Sequence, residues 1–385
     1  MSPGGAGARL ARREVSGVSQ NEAPASDAEP PDASGEAGAE VTEEAFASLG
    51  YVDCLQYCLE QRGEHQPKAL LMGVSGESFR LCFDRNDPVR GLAVISHNPL
   101  RAACAALGYD SDVVYHRDLE GAVSALLGDL SARGCAILHT RAEWVVVEPD
   151  GSDPSRVVAR LADGRLRAWP RSRLEQMWLQ EPGLLELGLE GYYYFLIGDK
   201  QRDPDQRESA MASLRRGVRL LTRRSRLDGC ASGLAAYDEL RQSLLRKQRD
   251  QLRQARTVRK YALWHSLPLA YIGDSRRAAA SYLTLIQAHF EEEARDHLRK
   301  AAEGFRKAAQ ALDEVPVVKQ AVAPAAAGEP AADAPLGRAE RQAIRSFSYL
   351  RRKAAGRLRR AQRAEEQALL ELRRALEAAE RKHDK

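Results

Sequence analysis

The sequence lacks the apolar segments that membrane and secretory proteins need. No apolar run approaches the roughly 18 residues of a membrane-spanning helix. Residues 1–40 also lack the apolar core of a secretory signal. We therefore expect a cytoplasmic protein of bacterial type, without a transmembrane segment.

Cysteine is also scarce, with 6 cysteines among 385 residues. They are scattered at positions 54, 58, 82, 104, 135 and 230. This is neither the dense framework of a disulfide-rich domain nor the spacing of a zinc site, so reduced thiols are expected. No motif calls for a metal or an organic cofactor, and we expect the function to need neither.

The net charge of +4 conceals an uneven distribution along the chain. Residues 1–206 carry 20 basic and 32 acidic side chains, whereas residues 207–337 carry 23 and 15 and residues 338–385 carry 15 and 7. A basic C-terminal half would attract an anionic partner, or would hold the acidic and basic halves of the chain together. We favour the second interpretation.

Composition divides the chain into five segments. Residues 1–41 contain almost no large apolar side chain, which is typical of a disordered tail. The Ala/Pro-rich stretch after residue 318 has the composition of a semi-extended linker. The predicted order is tail 1–41, α+β domain 42–190, helical bundle 191–318, linker 319–337 and basic amphipathic helix 338–385.

The α+β class follows from where the apolar periodicity changes. Apolar residues recur at helical spacing over 45–59, 100–107 and 119–130, and β-rich runs follow at 135–139 and 144–148. Shorter strands are predicted at 79–83, 92–95 and 112–115, a hairpin at 157–161 and 166–169, and a helix at 173–179. The hairpin turn is Asp163-Gly164. Helices followed by antiparallel strands indicate an α+β fold.

The second half of the chain has the pattern of a helical bundle. Helices are predicted over 209–223, 234–259, 263–285, 289–312 and 339–381. The last helix is basic, yet acidic residues are interspersed and its only aromatic residues are Phe347 and Tyr349. We therefore favour a solvated or self-associating helix over one that binds nucleic acid phosphates or anionic lipid.

The candidate nucleophile is Cys54, in the segment Tyr51-Val-Asp-Cys-Leu-Gln-Tyr-Cys58. Amide groups at a helix N-terminus stabilise a thiolate, so Cys54 would be activated if Asp53 capped a helix that starts there. If the helix runs unbroken from Thr42, Cys54 lies in mid-helix and gains no such help. Cys58, one turn later, is more simply a small core residue.

Three other motifs have both a functional and a structural interpretation. Gly73-Val-Ser75-Gly76 would permit close approach of a ligand, or is a turn between a helix and a strand. Asp150-Gly-Ser-Asp-Pro154 would hold a cation or is a solvated turn, and Asp150 would alternatively orient a base. Tyr192-Tyr-Tyr-Phe195 would line a cleft, or is a buried strand or part of the interdomain packing. The structural interpretation is favoured for each motif.

Four sequence strings resemble the N-terminal domain of the butirosin-biosynthesis acyltransferase family, a distant branch of the papain-like cysteine peptidase fold. The strings are Leu71-Met-Gly-Val-Ser-Gly-Glu-Ser-Phe-Arg80, His97-Asn-Pro-Leu-Arg-Ala-Ala-Cys-Ala-Ala-Leu-Gly-Tyr109, Gly134-Cys-Ala-Ile-Leu138 and Glu143-Trp-Val-Val-Val147. The resemblance covers about residues 45–180. It implies a papain-like domain followed by helices.

The resemblance also implies a site. A papain-like site takes a cysteine from a helix and a histidine base from the start of a later strand, oriented by Asp or Asn. Cys54 would be the nucleophile. Where the related double-glycine-leader peptidases have the histidine, this chain has Glu143-Trp144, so His139 is the substitute base and Asp150 its candidate orienting group. Substrate contacts would come from Gly73, Ser75, Gly76, Glu143 and Trp144.

Two functions from different classes follow. The first is thiol-dependent acyl or aminoacyl transfer, or peptide processing, in specialised biosynthesis, with an acyl-carrier protein or a peptide as partner. The second is a catalytically inactive papain-like protein that binds a peptide or scaffolds an assembly, with self-association through the helices. It is motivated by the absent histidine at 143–144 and by the absence of glutamine between residues 42 and 53, where an oxyanion-hole side chain is expected.

Overall fold

The computed structural model has a mixed α+β architecture, which confirms the predicted class at that level. Throughout, the description concerns residues 50–85, 98–141, 143–161, 164–182, 190–224, 226, 229–245, 255–314 and 338–381. The predicted tail 1–41, strand 92–95 and linker 319–337 lie outside these residues.

An antiparallel sheet forms the centre of the first half. Its strands are β2 (Tyr109–His116), β3 (Ala136–His139), β4 (Trp144–Pro149), β5 (Arg156–Arg160), β6 (Leu166–Pro170) and β8 (Glu190–Lys200), in the order β2-β8-β3-β4-β5-β6. The short strand β7 (Glu181–Pro182) pairs with the beginning of β8. The predicted hairpin is confirmed as β5 and β6, and Gly164 takes a left-handed φ of 79° in its turn.

Helices cover both faces of this sheet. One face packs on α1 (Tyr51–Glu60), α2 (Lys68–Ser75) and α3 (Pro99–Ala106), whereas α4 (Leu119–Arg133) and α5 (Arg171–Met177) cover the other. Helix α4 begins where the Asp118 carboxylate accepts from the Gly121 amide at 2.6 Å, and it ends at Gly134. The apolar strand residues thus lie in two core layers, one on each face.

The second half is helical. Its elements are α6 (Gln206–Thr222), α7 (Ala235–Leu245), α8 (Ala255–Ile286), α9 (Glu292–Asp313) and α10 (Arg338–Arg381). A two-stranded ladder of β1 (Cys82–Phe83) and β9 (Ala231–Ser232) joins it to the first half. Of the predicted helix 234–259, residues 235–245 are helical in α7 and residues 255–259 are helical in α8, and residues 246–254 lie outside the described part of the chain.

The basic helix α10 packs along the bundle. Leu358, Leu369, Leu372 and Leu376 of its apolar face are buried, and α10 packs on α9. At Gly304 of α9 an added Cβ would lie 2.9 Å from the Ala368 Cβ. His297 of α9 also lies 2.6 Å from the Glu371 carboxylate of α10. The preference for a solvated or self-associating helix therefore needs correction, because the bundle itself covers these four leucines.

The predicted boundary near residue 190 falls at the start of β8. This strand pairs with β2 and β3 and so belongs to the central sheet. The run Tyr192–Phe195 lies within β8, which confirms the interpretation of this run as a strand. The transition to helices occurs after Lys200.

A buried ion pair joins α8 and α10 to the first half. Arg276 and Glu365 each have 0% exposed surface. Arg276 Nε and Nη2 donate to the two Glu365 carboxylate oxygens at 2.5 and 3.0 Å. Its Nη1 donates to the carbonyl oxygens of Ser78 and Arg80, both at 3.0 Å, and Tyr237 of α7 donates to Glu365. The Arg276 guanidinium thus connects α8, α10 and the Ser78–Arg80 turn.

Replacing Glu365 with alanine should lower the free energy of unfolding by about 3–5 kcal/mol, because Arg276 would remain as a buried charge without its counter-ion. Equilibrium urea unfolding measures this. Glu366→Ala is the matched control, since Glu366 is the exposed neighbour and its loss should change stability by less than about 0.5 kcal/mol. Equal stability of the two variants would contradict the role given to the pair.

Candidate functional site

Cys54 lies at the end of the first turn of α1. Gly50 caps this helix, and the Cys54 amide donates to the Gly50 carbonyl at 3.2 Å. The helix therefore starts at Tyr51, and Asp53 belongs to its first turn rather than capping it. The Cys54 side chain is 7% exposed and belongs to the core between α1 and the sheet.

Burial changes the chemistry of this thiol. It raises the pKa of Cys54 far above its ordinary value, and the carboxylates of Asp53 and Glu143 act in the same direction. A nucleophilic cysteine needs the opposite shift. The surroundings of Cys54 thus favour the neutral thiol of a core residue.

His139 and Trp144 face each other across the β3–β4 ladder. Their rings stack with centroids 4.5 Å apart and planes 12° from parallel. Tyr51, the first residue of α1, meets the Trp144 ring edge-on at a centroid distance of 5.8 Å. The structure therefore brings Cys54, His139, Glu143 and Trp144 to the same end of the sheet, with the indole ring packed between Tyr51 and the imidazole.

Asp150 lies at the other end of β4. It lies six positions after Trp144, which is roughly 20 Å at the usual rise per residue. Its carboxylate accepts from the Ser152 amide at 3.0 Å and lies 3.6 Å from Arg156. The prediction that Asp150 orients His139 is therefore wrong, because the two residues lie at opposite ends of β4. Residues 150–154 form the solvated turn that the sequence analysis favoured.

The predicted contacts at Gly73, Ser75 and Gly76 are packing contacts. Gly73 and Ser75 belong to the last turn of α2, and Gly76 ends this helix with a φ of 86°. A Cβ on Gly73 would lie 2.0 Å from the Tyr282 ring of α8, and Ser75 Oγ donates to the Met72 carbonyl at 3.1 Å. All three residues are buried. Only Glu143 and Trp144 of the predicted substrate contacts remain at the sheet end.

Two tyrosines extend the rings of His139 and Trp144 across the sheet. Tyr115 of β2 pairs with Tyr193 of β8, with ring centroids 5.0 Å apart. The β3–β8 register, in which Leu138 pairs with Tyr194, places His139 beside Tyr193. Together with Tyr51 these side chains form an aromatic row: Tyr115, Tyr193, His139, Trp144 and Tyr51.

The aromatic row is open at two places. His139 and Tyr115 keep part of their surface exposed, whereas Trp144, Tyr193 and Tyr51 are buried. Gly191 makes room for the row, because a Cβ there would lie 2.3 Å from Cε2 of Tyr115. The aromatic run at 192–195 was the one sequence signal for the row, but it did not show which of its residues faces α1.

The row rests on a buried polar network. The Tyr51 hydroxyl donates to Glu77 Oε2 at 2.5 Å, and Arg80 donates to both Glu77 oxygens at 2.9 Å. Arg80 also donates to the Tyr271 hydroxyl of α8 at 2.9 Å. Burial and the Glu77 carboxylate raise the pKa of Tyr51, so this phenol stays protonated. The network fixes the first turn of α1 against the bundle.

Neither metal binding nor membrane insertion finds support in the described part of the chain. No group of three or more His, Cys, Asp or Glu side chains there is placed to hold a metal ion. Among the described helices, none combines the length and the apolar character needed to span a bilayer.

No protein-family model matches the chain, and no curated protein is significantly similar to it. Geometry and chemistry are therefore the basis of the functional argument.

Gly73→Ala should destabilise the protein by about 1–3 kcal/mol, because the added methyl group overlaps the buried Tyr282 ring. Gly128→Ala is the matched control in α4, where the added Cβ has open space and helix propensity predicts a gain of up to about 1 kcal/mol. Thermal unfolding of both variants measures the difference. A Gly73→Ala variant as stable as Gly128→Ala would show that this contact yields without cost.

Alkylation by iodoacetamide should be slow at Cys54 in the folded protein, because the raised pKa leaves little thiolate at neutral pH. The rate is followed from pH 6 to 9 by peptide mass spectrometry and compared with the rate for the same cysteine in urea. A folded-state rate that levels off below the ordinary thiol pKa of about 8.5 would contradict this and restore Cys54 as a nucleophile.

Proposed function

We propose that the chain is a catalytically inactive papain-like protein that binds an extended peptide along the aromatic row. The observation that carries the proposal is that the row of packed aromatic rings is partly exposed at His139 and Tyr115, beside a buried Cys54 whose pKa is raised by burial. Helix α1 packed by its first turn against the sheet is consistent with a papain-like arrangement.

The ring chemistry supports binding rather than reaction. Tyrosine is enriched in binding hot spots, since its ring offers a large rigid surface at low entropic cost. In the row, Tyr115 is the tyrosine that keeps part of its surface exposed. The indole ring of Trp144 offers no proton-accepting nitrogen and cannot act as the base that the resemblance places there. A row fixed by Gly191 and by the Tyr51–Glu77 hydrogen bond is preorganised for a ligand.

Thiol-dependent acyl transfer, which the resemblance also implies, would require an ionised Cys54. Burial and two nearby carboxylates oppose that ionisation. The inactive interpretation needs no change in the surroundings of Cys54, and for this reason we favour it.

The test uses the full chain and a random heptapeptide phage library. Selected peptides are synthesised with a fluorescent label and titrated by anisotropy against the wild type, Tyr115→Ala and His139→Ala. We expect each variant to weaken binding about tenfold or more, as expected when a binding hot spot is truncated.

Tyr349→Ala is the control, because this side chain is 64% exposed on α10. It should bind the selected peptides as the wild type does. Failure to select any peptide, or equal affinity of all four proteins, contradicts binding at the row. Hydrolysis or acylation of a selected peptide by the wild type but not by Cys54→Ala would contradict the inactive assignment.

A further inference from the structure

One stretch of α10 carries positive charge only. Residues 341–364 contain nine basic and no acidic side chains, so the acidic residues of this helix lie before and after the stretch. Five of the basic side chains are exposed at described positions. They are Arg352, Lys353, Arg359, Arg360 and Arg363, and we call them the basic platform.

Helix geometry places the basic platform around Gly356. In an α-helix, residues three and four positions apart are neighbours on one face. Arg352 and Lys353 lie four and three residues before Gly356, and Arg359 and Arg360 lie three and four residues after it. The fifth cation lies one turn further along the same face. At the usual rise per residue the platform is roughly 17 Å long.

Gly356 is not required by the packing of the protein. A Cβ added at this exposed position would meet nothing within 4 Å. Glycine in a helix interior is destabilising relative to alanine, so the helix gains nothing from it. The missing side chain leaves the backbone open between four cations, where an anionic group of a ligand can approach closely.

The charges of the platform are not neutralised by the bundle. Arg357, the residue after Gly356, forms an ion pair with Glu314 at the end of α9. Four platform cations, in contrast, form no ion pair with any described residue: Lys353, Arg359, Arg360 and Arg363. Their positive potential is therefore directed at the solvent and at any anionic partner.

A hollow of about 300 Å³ between α7 and α10 extends the platform. Its lining side chains are Asp238, Arg241, Arg359, Gln362, Arg363 and Glu366. The Asp238 carboxylate is already held, by Arg241 at 3.0 Å and by Gln362 at 3.2 Å. The cationic surface thus continues onto α7, and it ends at Glu366, ten residues after Gly356.

We propose that the basic platform binds double-stranded DNA through its phosphate oxygens, without reading the base sequence. Four of the five cations are arginines, whose forked guanidinium groups match phosphate oxygens in pairs. Duplex DNA carries one negative charge per roughly 1.7 Å of its axis, so the platform would face about ten phosphate charges. The proposal is independent of ligand binding at the aromatic row.

The structure favours a duplex over a lipid surface or a single strand. A helix that inserts into a lipid surface needs a free apolar face, whereas Leu358 and Leu372 of α10 are buried in the bundle. Single strands are bound by stacking bases on several aromatic side chains. Among the α10 side chains that the structure describes, Tyr349 is the only aromatic one. Phosphate contacts to a duplex need neither feature.

The experiment titrates the full chain into a short fluorescein-labelled duplex of arbitrary sequence. Anisotropy is followed between about 50 and 200 mM salt, and five phosphate contacts predict a slope of log K against log salt of about −4 to −5. Arg359→Ala/Arg360→Ala should weaken binding and reduce the steepness of this slope by about 2. Arg299→Ala/Lys300→Ala is the matched control, since it removes the same charge from exposed positions on α9, and it should bind as the wild type does.

A second pair of variants tests the approach to Gly356. Gly356→Glu and Gly356→Gln add side chains of similar size, and only the first adds a negative charge among the platform cations. Gly356→Glu should bind the duplex about tenfold more weakly than Gly356→Gln, because a like charge would face the phosphates. Both residues favour a helix more than glycine does, so neither variant should unfold at a lower temperature than the wild type.

Four results would overturn the proposal. The first two are absence of duplex binding at about 50 mM salt, and an Arg359→Ala/Arg360→Ala variant with the affinity and slope of the wild type. The third is tighter binding of a single-stranded oligonucleotide than of the duplex. The fourth is binding to vesicles of phosphatidylserine and phosphatidylcholine without binding to the duplex, which would assign the platform to a lipid surface.

Discussion

The ion pair of Arg276 and Glu365 is the interaction on which the rest of the structure depends. A fully buried guanidinium is tolerated only where its donors are satisfied, and here the acceptors come from α10 and from the Ser78–Arg80 turn. Neither the bundle nor the first half alone supplies them all. The pair therefore makes the packing of one half conditional on the other, which explains why a basic terminal helix is part of the core.

The Ser78–Arg80 turn also links the ion pair to the sheet. Arg80 accepts from Arg276 through its carbonyl and donates to Glu77 through its side chain, and Glu77 accepts from Tyr51. The Tyr51 ring then contacts Trp144. A continuous set of buried polar contacts thus runs from α10 to the first turn of α1. The aromatic row owes its position to charges that lie well away from it.

Local sequence patterns predicted the helices and strands, whereas long-range strand pairing determines which residues meet at the candidate site. The hairpin at Gly164 and the helices α6, α9 and α10 were recognisable because turn residues and helical periodicity are local signals. The pairing of Tyr115 with Tyr193 was not, because their strands are distant in sequence and register depends on the whole sheet. Cys54 was predicted as reactive from its place near a helix start, whereas its burial is decided by packing against β4.

A side chain that looks reactive in the sequence is a core residue when its neighbours are apolar or carry a charge that opposes its ionisation. Glu143 illustrates this, because a carboxylate beside a catalytic base would help it, yet beside the Cys54 thiol it opposes ionisation. Cys54 therefore remains a neutral core thiol although it lies in the first turn of a helix.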